Sequence, residues 1–310
     1  MRRARGGLSS RAVSAPSSAR LRGLALIGLA AVSWGTTGSV TTVLVAAADT
    51  NALVIGAVRM LIAAPLLAGI GRWTAGPARL GAAERRRCVG LGLCMAAFQA
   101  SYFSAVTLTG IAVAALIAIC CAPLLIAGLA AMMLGERVTA RVGWALAIGI
   151  AGTALLIVGP RGVADVSSRF GAGVLLALGA SLSYALYVVL AKAALARSAP
   201  PLPLAATSFG VAAVVLAPTL LTPDLGRQLA LGWPWLLYLG AVATAGAYAA
   251  YTIGLRDVPA SSAGVAALIE PLTATLLGVG LFGERLGALG AAGAVLLLVA
   301  LALLVTRPAR

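Results

Sequence analysis

Histidine is absent from this sequence of 310 residues, and acidic residues are scarce, with 8 Asp and Glu against 23 Lys and Arg. Without histidine, the chain has no imidazole for acid–base catalysis or for binding a metal ion. Its four cysteines lie in apolar stretches and form no Cys-x-x-Cys pair, which argues against a disulfide framework or a zinc site. The chain also lacks a phosphate-binding loop and paired carboxylates on one helix face. The sequence therefore predicts no enzyme, no metal and no cofactor.

Charge of either sign is scarce, since 10% of the residues are charged while 61% are hydrophobic. A soluble domain usually has about a quarter of its residues charged, so we expect the outer surface to face lipid. The apolar runs are about 18–25 residues long, which suits helices that cross a bilayer rather than the short alternating strands of a barrel. They predict an all-α polytopic membrane protein with ten transmembrane helices, over residues 24–45, 52–71, 88–108, 111–134, 142–159, 171–195, 202–221, 232–255, 259–281 and 286–305.

Residues 1–23 are rich in Arg, Ser, Ala and Gly and have no apolar periodicity, so we expect a disordered basic tail. A signal peptide cleaved near residues 46–48 is the alternative. The apolar run before that site, residues 24–45, is longer than the core of a signal peptide and long enough to span a membrane.

Basic residues are distributed unevenly between the two sides of the predicted bundle. If the N-terminus is cytoplasmic, 18 Lys and Arg fall on the cytoplasmic side and 4 on the outer side. Such a bias predicts that both termini face the cytoplasm, in an inner membrane. The basic residues lie in loops rather than on one water-soluble face, so nucleic acid is not an expected partner.

Two stretches of the chain resemble each other. Pro123 precedes Glu136 by 13 residues, and Pro271 precedes Glu284 by 13 residues, each pair ending in Gly-Glu-Arg. The copies fall in the fourth and ninth predicted helices, so five helices separate them. An odd number places the second copy upside down in the membrane. The sequence thus predicts two inverted five-helix repeats, residues 24–159 and 171–305, an architecture typical of secondary transporters.

These motifs resemble the EamA family of the drug/metabolite transporter superfamily over roughly residues 22–305. The resemblance rests on residues 268–272 and 282–286, on their first-half partners around Pro123 and Glu136, and on residues 33–35 and Arg59. It implies ten helices in two repeats, a central cavity, and export of amino acids, metabolites or foreign compounds by alternating access. One departure is that Ala122 precedes the first proline where Glu270 precedes the second, which confines any acidic role to the second half. A channel and a membrane receptor or scaffold remain the alternatives.

Aromatic side chains inside the predicted helices are candidates for substrate binding. Several are spaced three or four residues apart, which puts each pair on one helix face. Buried rings with polar tips need a partner or water. We therefore expect them to line a central cavity, with core packing or a lipid-facing position as the alternative; they are Trp34, Phe98, Tyr102, Tyr184, Tyr187, Tyr248 and Tyr251.

Two charged residues lie deep in predicted helices. Arg59 is expected to face the protein interior, either as a ligand for a substrate carboxylate or in a structural role such as snorkelling or pairing with helix-end carbonyls. Glu270 lies at the centre of its run, directly before Pro271, which interrupts helical hydrogen bonding. A carboxylate at such a site is a candidate for coupling transport to protons, and the alternative is a neutral role in packing.

The remaining expectations concern packing and helix ends. Ala145, Gly149 and Gly152 share one face, which predicts close helix packing or, alternatively, the contact of a homodimer. Glu136 is expected to interact with Arg137 or Arg285 and with the next helix, and Lys192 to extend to the membrane surface.

Overall fold

The computed structural model describes residues 17–76, 80–109, 111–158, 170–283 and 287–305. Within these ranges the chain forms helices and no strand. Eight helical stretches are long and apolar enough to cross a membrane, and two shorter apolar stretches occupy Ala140–Leu155 and Ala288–Leu304. This confirms an all-helical, polytopic architecture, while the count of ten spans stays a prediction.

The helices follow the apolar runs closely. The first half contains α1 (Ser17–Ala48), α2 (Ala52–Ala75), α3 (Ala82–Thr109), α4 (Ile111–Leu134) and α5 (Ala140–Val158). The second half contains α6 (Phe170–Ala196), α7 (Pro201–Leu216) with a 3-10 turn (Ala217–Leu220), α8 (Leu225–Gly240), α9 (Ala247–Asp257), α10 (Ala260–Ala266), α11 (Ile269–Phe282) and α12 (Ala288–Val305).

The first helix begins earlier than the apolar run that predicted it. Ser17 to residue 23, assigned to the tail from composition, are helical, whereas residues 1–16 lie outside the described ranges. Side chains on this added turn have partners on neighbouring helices. Arg20 donates to the carbonyl oxygen of Leu304 at 3.3 Å, and Arg22 pairs with Asp257 at 3.2 Å. These contacts favour continuing the helix beyond its apolar part.

Two irregular segments interrupt the second half. The residues between α8 and α9, Ala241–Gly246, form a π-helix, so Leu225–Asp257 is one continuous rod. The next span is broken between α10 and α11, immediately before Glu270 and Pro271. The interruption beside Pro271 agrees with the loss of a backbone N–H there. Pro123, by contrast, lies within the unbroken helix α4.

Helix packing follows a pattern that relates the two halves. α6 packs against α3 and α4, and α1 packs correspondingly against the α8–α9 rod and against α11. α2 packs against α7, and α5 packs against α12. Exchanging α1–α5 for α6–α12 therefore reproduces the main contacts. The ends of the repeated motif also match, since Gly135 and Gly283 both terminate their helices with φ of 66°, a conformation that glycine adopts without strain.

The small residues of α5 pack inside the chain. A Cβ atom added at Gly152 would lie 2.8 Å from the carbonyl oxygen of Gly293 on α12, and one at Gly149 would lie 3.4 Å from the Ala300 side chain. Ala145 is fully buried. This face therefore packs closely against α12 within the chain, as the first of the two alternatives expects, and a homodimer stays a prediction.

Charged side chains hold the corner between α9 and α10, which we call the α9–α10 corner (residues 255–261). Glu136 accepts hydrogen bonds from the backbone N–H of Ala260 at 2.8 Å and of Ser261 at 3.2 Å, and from the Ser261 hydroxyl at 3.1 Å. It thus binds the N-terminus of α10, a helix from the other half, rather than the next helix in sequence. The reason is tertiary: α10 packs against α4, whose end carries Glu136. Arg285 lies outside the described residues.

A lysine binds the other side of this corner. Lys192 Nζ donates to the carbonyl oxygens of Leu255 at 2.8 Å and Arg256 at 3.0 Å, at the C-terminus of α9. A cation there complements the helix dipole, as the Glu136 carboxylate does at the N-terminus of α10. The ammonium group of Lys192 thus binds protein carbonyls at a helix end, and its extension to the membrane surface stays a prediction.

Candidate functional site

The seven aromatic residues singled out in the sequence meet in one cluster at the centre of the bundle. Trp34 on α1 lies in the middle, with ring centroids 5.0 Å from Tyr248, 5.2 Å from Tyr251 and 6.5 Å from Tyr184. Their close contact arises because α1 packs against the α8–α9 rod, which carries Tyr248 and Tyr251 on one face. Helices from both halves of the chain therefore supply the rings.

The cluster extends from Tyr184 towards α3. The Phe98 ring lies 5.4 Å from the Tyr184 ring. It also lies 6.0 Å from the ring of Tyr102, which follows it by one turn on α3. Tyr187, one turn from Tyr184, lies 6.1 Å from Tyr248. These separations are typical of favourable aromatic pairs. The predicted grouping of these residues is thus seen, although their role in binding stays a prediction. We call these seven residues the aromatic cluster.

Arg59 lies beside the aromatic cluster and faces the protein interior. Its side chain is 8% exposed, and its Nε donates a hydrogen bond of 2.9 Å to the hydroxyl of Thr244. That hydroxyl in turn donates to the carbonyl oxygen of Leu239 at 2.7 Å. Arg59 therefore does not extend to the surface, and a threonine rather than a helix-end carbonyl binds it. Among the described residues, its two terminal nitrogens have no hydrogen-bonding partner.

Glu270 approaches the same site from the break between α10 and α11. Its carboxylate lies in the neighbourhood of Arg59, Tyr102, Tyr184 and Tyr248. It forms no ion pair or hydrogen bond with any side chain in the described ranges. The carboxylate also lies in the first turn of α11, where the helix dipole favours negative charge. Glu270 and Arg59 thus bring opposite charges to the aromatic cluster without being paired to each other.

Two polar atoms of the cluster are buried without a partner. Trp34 Nε1 and the Tyr251 hydroxyl make no hydrogen bond in the described structure. The Tyr251 hydroxyl lies near that of Tyr184, but the two do not adopt the geometry of an ordinary hydrogen bond. Buried polar groups are nearly always satisfied in folded proteins, so unpaired ones indicate a place where a ligand or water binds.

The rings pack against one another in this conformation. Trp34, Tyr187, Tyr248 and Tyr251 are all buried. A pocket of about 290 Å³ lies at the end of the bundle where α2 begins and is lined by residues including Asn51, Ser104 and Phe103. The Phe103 ring lies 5.6 Å from Tyr102, so this pocket ends next to the aromatic cluster. A central cavity lined by these rings stays a prediction.

A sequence model of the EamA-like transporter family matches residues 21–158 and, a second time, residues 171–306. The chain belongs to the EamA-like transporter family. The two matched segments fit the two-repeat arrangement of the helices. Because the family consists of transporters, membership supports a membrane transporter rather than an enzyme, with a small-molecule substrate and the lipid bilayer as its surroundings.

This EamA-like transporter also has curated relatives. It is 36% identical over 284 residues to the uncharacterized transporter YwfM of Bacillus subtilis, covering 90% of this chain and 92% of that protein. It is 32% identical over 201 residues to an uncharacterized transporter of Archaeoglobus fulgidus, covering 65% of this chain and 69% of the relative. A solved crystal structure of 23% identity superposes with a TM-score of 0.75, covering 93% of this chain and 96% of the other, which supports the fold.

The transporter's site contains two residues that the sequence reasoning missed. Thr244 binds Arg59, and it lies four and seven residues before Tyr248 and Tyr251, so helical spacing with these tyrosines was an available signal. Phe209, the single aromatic residue of α7, lies 4.7 Å from Tyr248. A lone phenylalanine in an apolar helix carries no comparable signal, and only the packing of α7 against α9 brings it into the cluster.

Proposed function

We propose that this protein is a secondary transporter that carries small organic solutes with a carboxylate group across the inner membrane by alternating access, acting as an exporter. Amino acids, other metabolites and foreign compounds with an apolar body fall in this class. The observation that carries the proposal is the guanidinium of Arg59, whose two terminal nitrogens have no partner among the described residues, beside a cluster of aromatic rings at the junction of the two halves. Binding sites at a repeat interface near mid-membrane are typical of such carriers.

The contributing residues support a site that both halves form together. Trp34, Arg59 and Tyr102 come from the first half, whereas Tyr184 and Tyr248 come from the second. A rocking motion of one half against the other would therefore separate the rings and open the site to one side. The closed packing of the rings and the pocket that ends at Phe103 are consistent with an occluded state in such a cycle.

The arrangement of helices supports an inverted repeat. The main contacts are preserved when the two sets of five spans are exchanged, and Trp34 on the first helix of one half meets Tyr184 on the first helix of the other at the centre. We propose that the repeats comprise residues 24–159 and 171–305, and that ten spans leave both termini in the cytoplasm. Reporter fusions after Thr50 and Asp224 should then report the outside, and those after Gly76 and Ser198 the cytoplasm.

The chemistry of the site favours a carboxylate with an apolar or aromatic body. An arginine whose terminal nitrogens are free binds a carboxylate through two parallel hydrogen bonds. The rings offer stacking surfaces, and Trp34 Nε1 offers a further donor. Glu270 is placed to receive a proton or the ammonium group of a zwitterionic solute. We propose it as the residue that couples transport to protons.

Transport itself is tested in proteoliposomes. Metabolite levels of cells with and without the protein identify candidate solutes, and counterflow of these solutes is then measured with the purified protein. Saturable counterflow is the expected result. Conductance without saturation would instead indicate a channel, and absence of any flux for all candidates would indicate a receptor or scaffold.

The carboxylate ligand is tested in the same assay. Arg59→Lys retains the positive charge but loses the planar pair of terminal nitrogens. The variant should raise the KM for a carboxylate solute about tenfold, as expected for the loss of one strong charged hydrogen bond. Equal KM values for the wild type and the variant would contradict this role of Arg59.

A further inference from the structure

The hydroxyl of Thr244 is fully buried and has two partners of different kinds. It donates its one hydrogen to the carbonyl oxygen of Leu239 at 2.7 Å, so a lone pair remains to accept the hydrogen bond from Arg59 Nε at 2.9 Å. Both bonds together hold the hydroxyl in one rotamer. Arg59 is therefore bound by a group that cannot rotate to serve another partner.

The π-helix determines where this hydroxyl points. In regular helices of this protein, Thr153, Thr273 and Ser208 bond to the carbonyl four residues earlier. Thr244 instead bonds to the carbonyl five residues earlier, which is the register of the π-helix Ala241–Gly246. One residue of register corresponds to a rotation of about 100° around a helix axis. The π-helix therefore changes the face on which Thr244 lies.

Because Arg59 uses Nε to bind Thr244, the two terminal nitrogens of its guanidinium remain available. An arginine side chain has five N–H donors in one plane, and the bond to Thr244 uses the one nearest the chain. The two terminal nitrogens, which bind a carboxylate end-on, have no partner among the described residues. Since Thr244 fixes Nε, it also fixes the plane in which these nitrogens lie.

We propose that Thr244, held in place by the π-helix, is the positioning residue that orients Arg59 for end-on binding of a carboxylate. The proposal rests on the proposed function, because it assumes a carboxylate ligand at Arg59. Thr244 would thus contribute to the preference for carboxylates from a different helix than Arg59, without touching the ligand itself. Thr244 precedes Tyr248 by one turn, so the same helical rod positions the Tyr248 ring and, through Thr244, the guanidinium of Arg59.

A matched pair of probes tests the orientation of Arg59. Phenylacetate and phenylacetamide share an aromatic body and differ in charge, and their binding to the purified full-length protein can be followed by the fluorescence of Trp34, with the Trp34→Phe variant as the background. The wild type should prefer phenylacetate. Thr244→Val keeps the shape but removes the hydroxyl, and should weaken phenylacetate binding about tenfold while leaving phenylacetamide unchanged. Thr244→Ser keeps the hydroxyl and should stay within about threefold of the wild type.

A double variant keeps the test decisive if Thr244→Val alone does not fold. Removing both partners of a buried hydrogen bond is tolerated better than removing one. In the Arg59→Leu background, phenylacetate should bind no better than phenylacetamide, and adding Thr244→Val should change neither affinity. A further loss of phenylacetate binding in the double variant would overturn the proposal, because Thr244 would then act independently of Arg59.

The remaining outcomes separate this proposal from the proposed function. If the wild type prefers phenylacetate and Thr244→Val keeps that preference, positioning by Thr244 is wrong while the carboxylate site stands. If the valine variant weakens both probes equally and serine does not restore them, Thr244 has a structural role only. If the wild type does not distinguish the probes, the orientation proposal is wrong. Transport is judged separately, by counterflow of the solutes found in cells.

Discussion

The aromatic cluster at the centre of the bundle contains buried polar groups, and the α9–α10 corner at its end contains half-buried ones; the two sets differ in whether they have hydrogen-bonding partners. At the corner, Glu136 accepts three hydrogen bonds and Lys192 donates two. In the cluster, Trp34 Nε1 and the Tyr251 hydroxyl are buried and have no hydrogen-bonding partner in the described part of the chain.

This difference indicates that the polar groups of the corner stabilise the fold and that those of the cluster serve transport. Leaving a buried polar group unpaired costs about 1–3 kcal/mol, so a fold has reason to satisfy such groups wherever structure alone is required. The corner follows that rule and holds two helix ends in place. The centre departs from it, which is expected where a ligand completes the hydrogen bonds. Substitutions at the corner should therefore change stability, and substitutions in the cluster should change transport.

The largest effect is expected for Glu270→Gln in the cluster. Glutamine preserves size and hydrogen bonding but cannot release a proton. Substrate counterflow should survive, whereas accumulation driven by a pH gradient should be abolished. Glu136→Gln serves as the matched control, because it removes a carboxylate at the corner and should retain accumulation driven by the pH gradient. A Glu270→Gln variant that still concentrates its solute with unchanged pH dependence would show that protons are coupled elsewhere or not at all.

A large effect on affinity is expected for Trp34→Leu. The substitution removes the ring that contacts Tyr184, Tyr248 and Tyr251. Loss of one stacking partner and one N–H donor should raise the KM for counterflow about tenfold. Trp144 on α5 is an exposed tryptophan, and Trp144→Leu should leave the KM unchanged. Similar KM values for the wild type and Trp34→Leu, at equal protein levels, would assign the cluster to core packing.

A moderate effect on stability is expected for Glu136→Ala at the corner. The N–H groups of Ala260 and Ser261 lose their acceptor, as when a helix cap is removed, which costs about 1–2 kcal/mol in the free energy of unfolding. Denaturation in mixed micelles measures this loss, and the KM for counterflow should not change. Glu84→Ala is the control, since Glu84 makes a longer surface pair with Arg87, at 3.8 Å. A lower stability for the Glu84 variant than for the Glu136 variant would contradict the comparison.

The smallest effect is expected for Asp257→Asn, which breaks the pair with Arg22 at the same corner. Arg22 is largely exposed, so the pair should contribute less than about 1 kcal/mol to the free energy of unfolding. Raising the salt concentration should remove the difference between the wild type and the variant, because salt screens exposed charges. At about 1 M salt, exposed charges are strongly screened. If the variant is still less stable than the wild type under these conditions, the interaction is a buried one.

Much of the fold could be predicted from the sequence because lipid imposes simple rules. A helix that crosses a bilayer needs about 20 apolar residues, so the apolar runs predicted the helices of the structure within a few residues at most ends. The glycine of the repeated Gly-Glu-Arg motif also marks the end of a helix in each half. Gly135 and Gly283 end their helices in a left-handed conformation that few other residues adopt. Aromatic spacing along single helices likewise indicated which faces turn inward.

The partners of the inward-facing residues were decided by tertiary structure. Helical spacing places Arg59 on a face, but only the packing of α2 against the π-helix brings it to Thr244. Glu136 was expected to serve the next helix and instead binds α10, since an acceptor of this kind is reached through space rather than along the chain. Local sequence thus determined the helices, their ends and their inward faces. The packing of the rings and the partners of Arg59 and Glu136 depend on contacts between residues far apart in sequence.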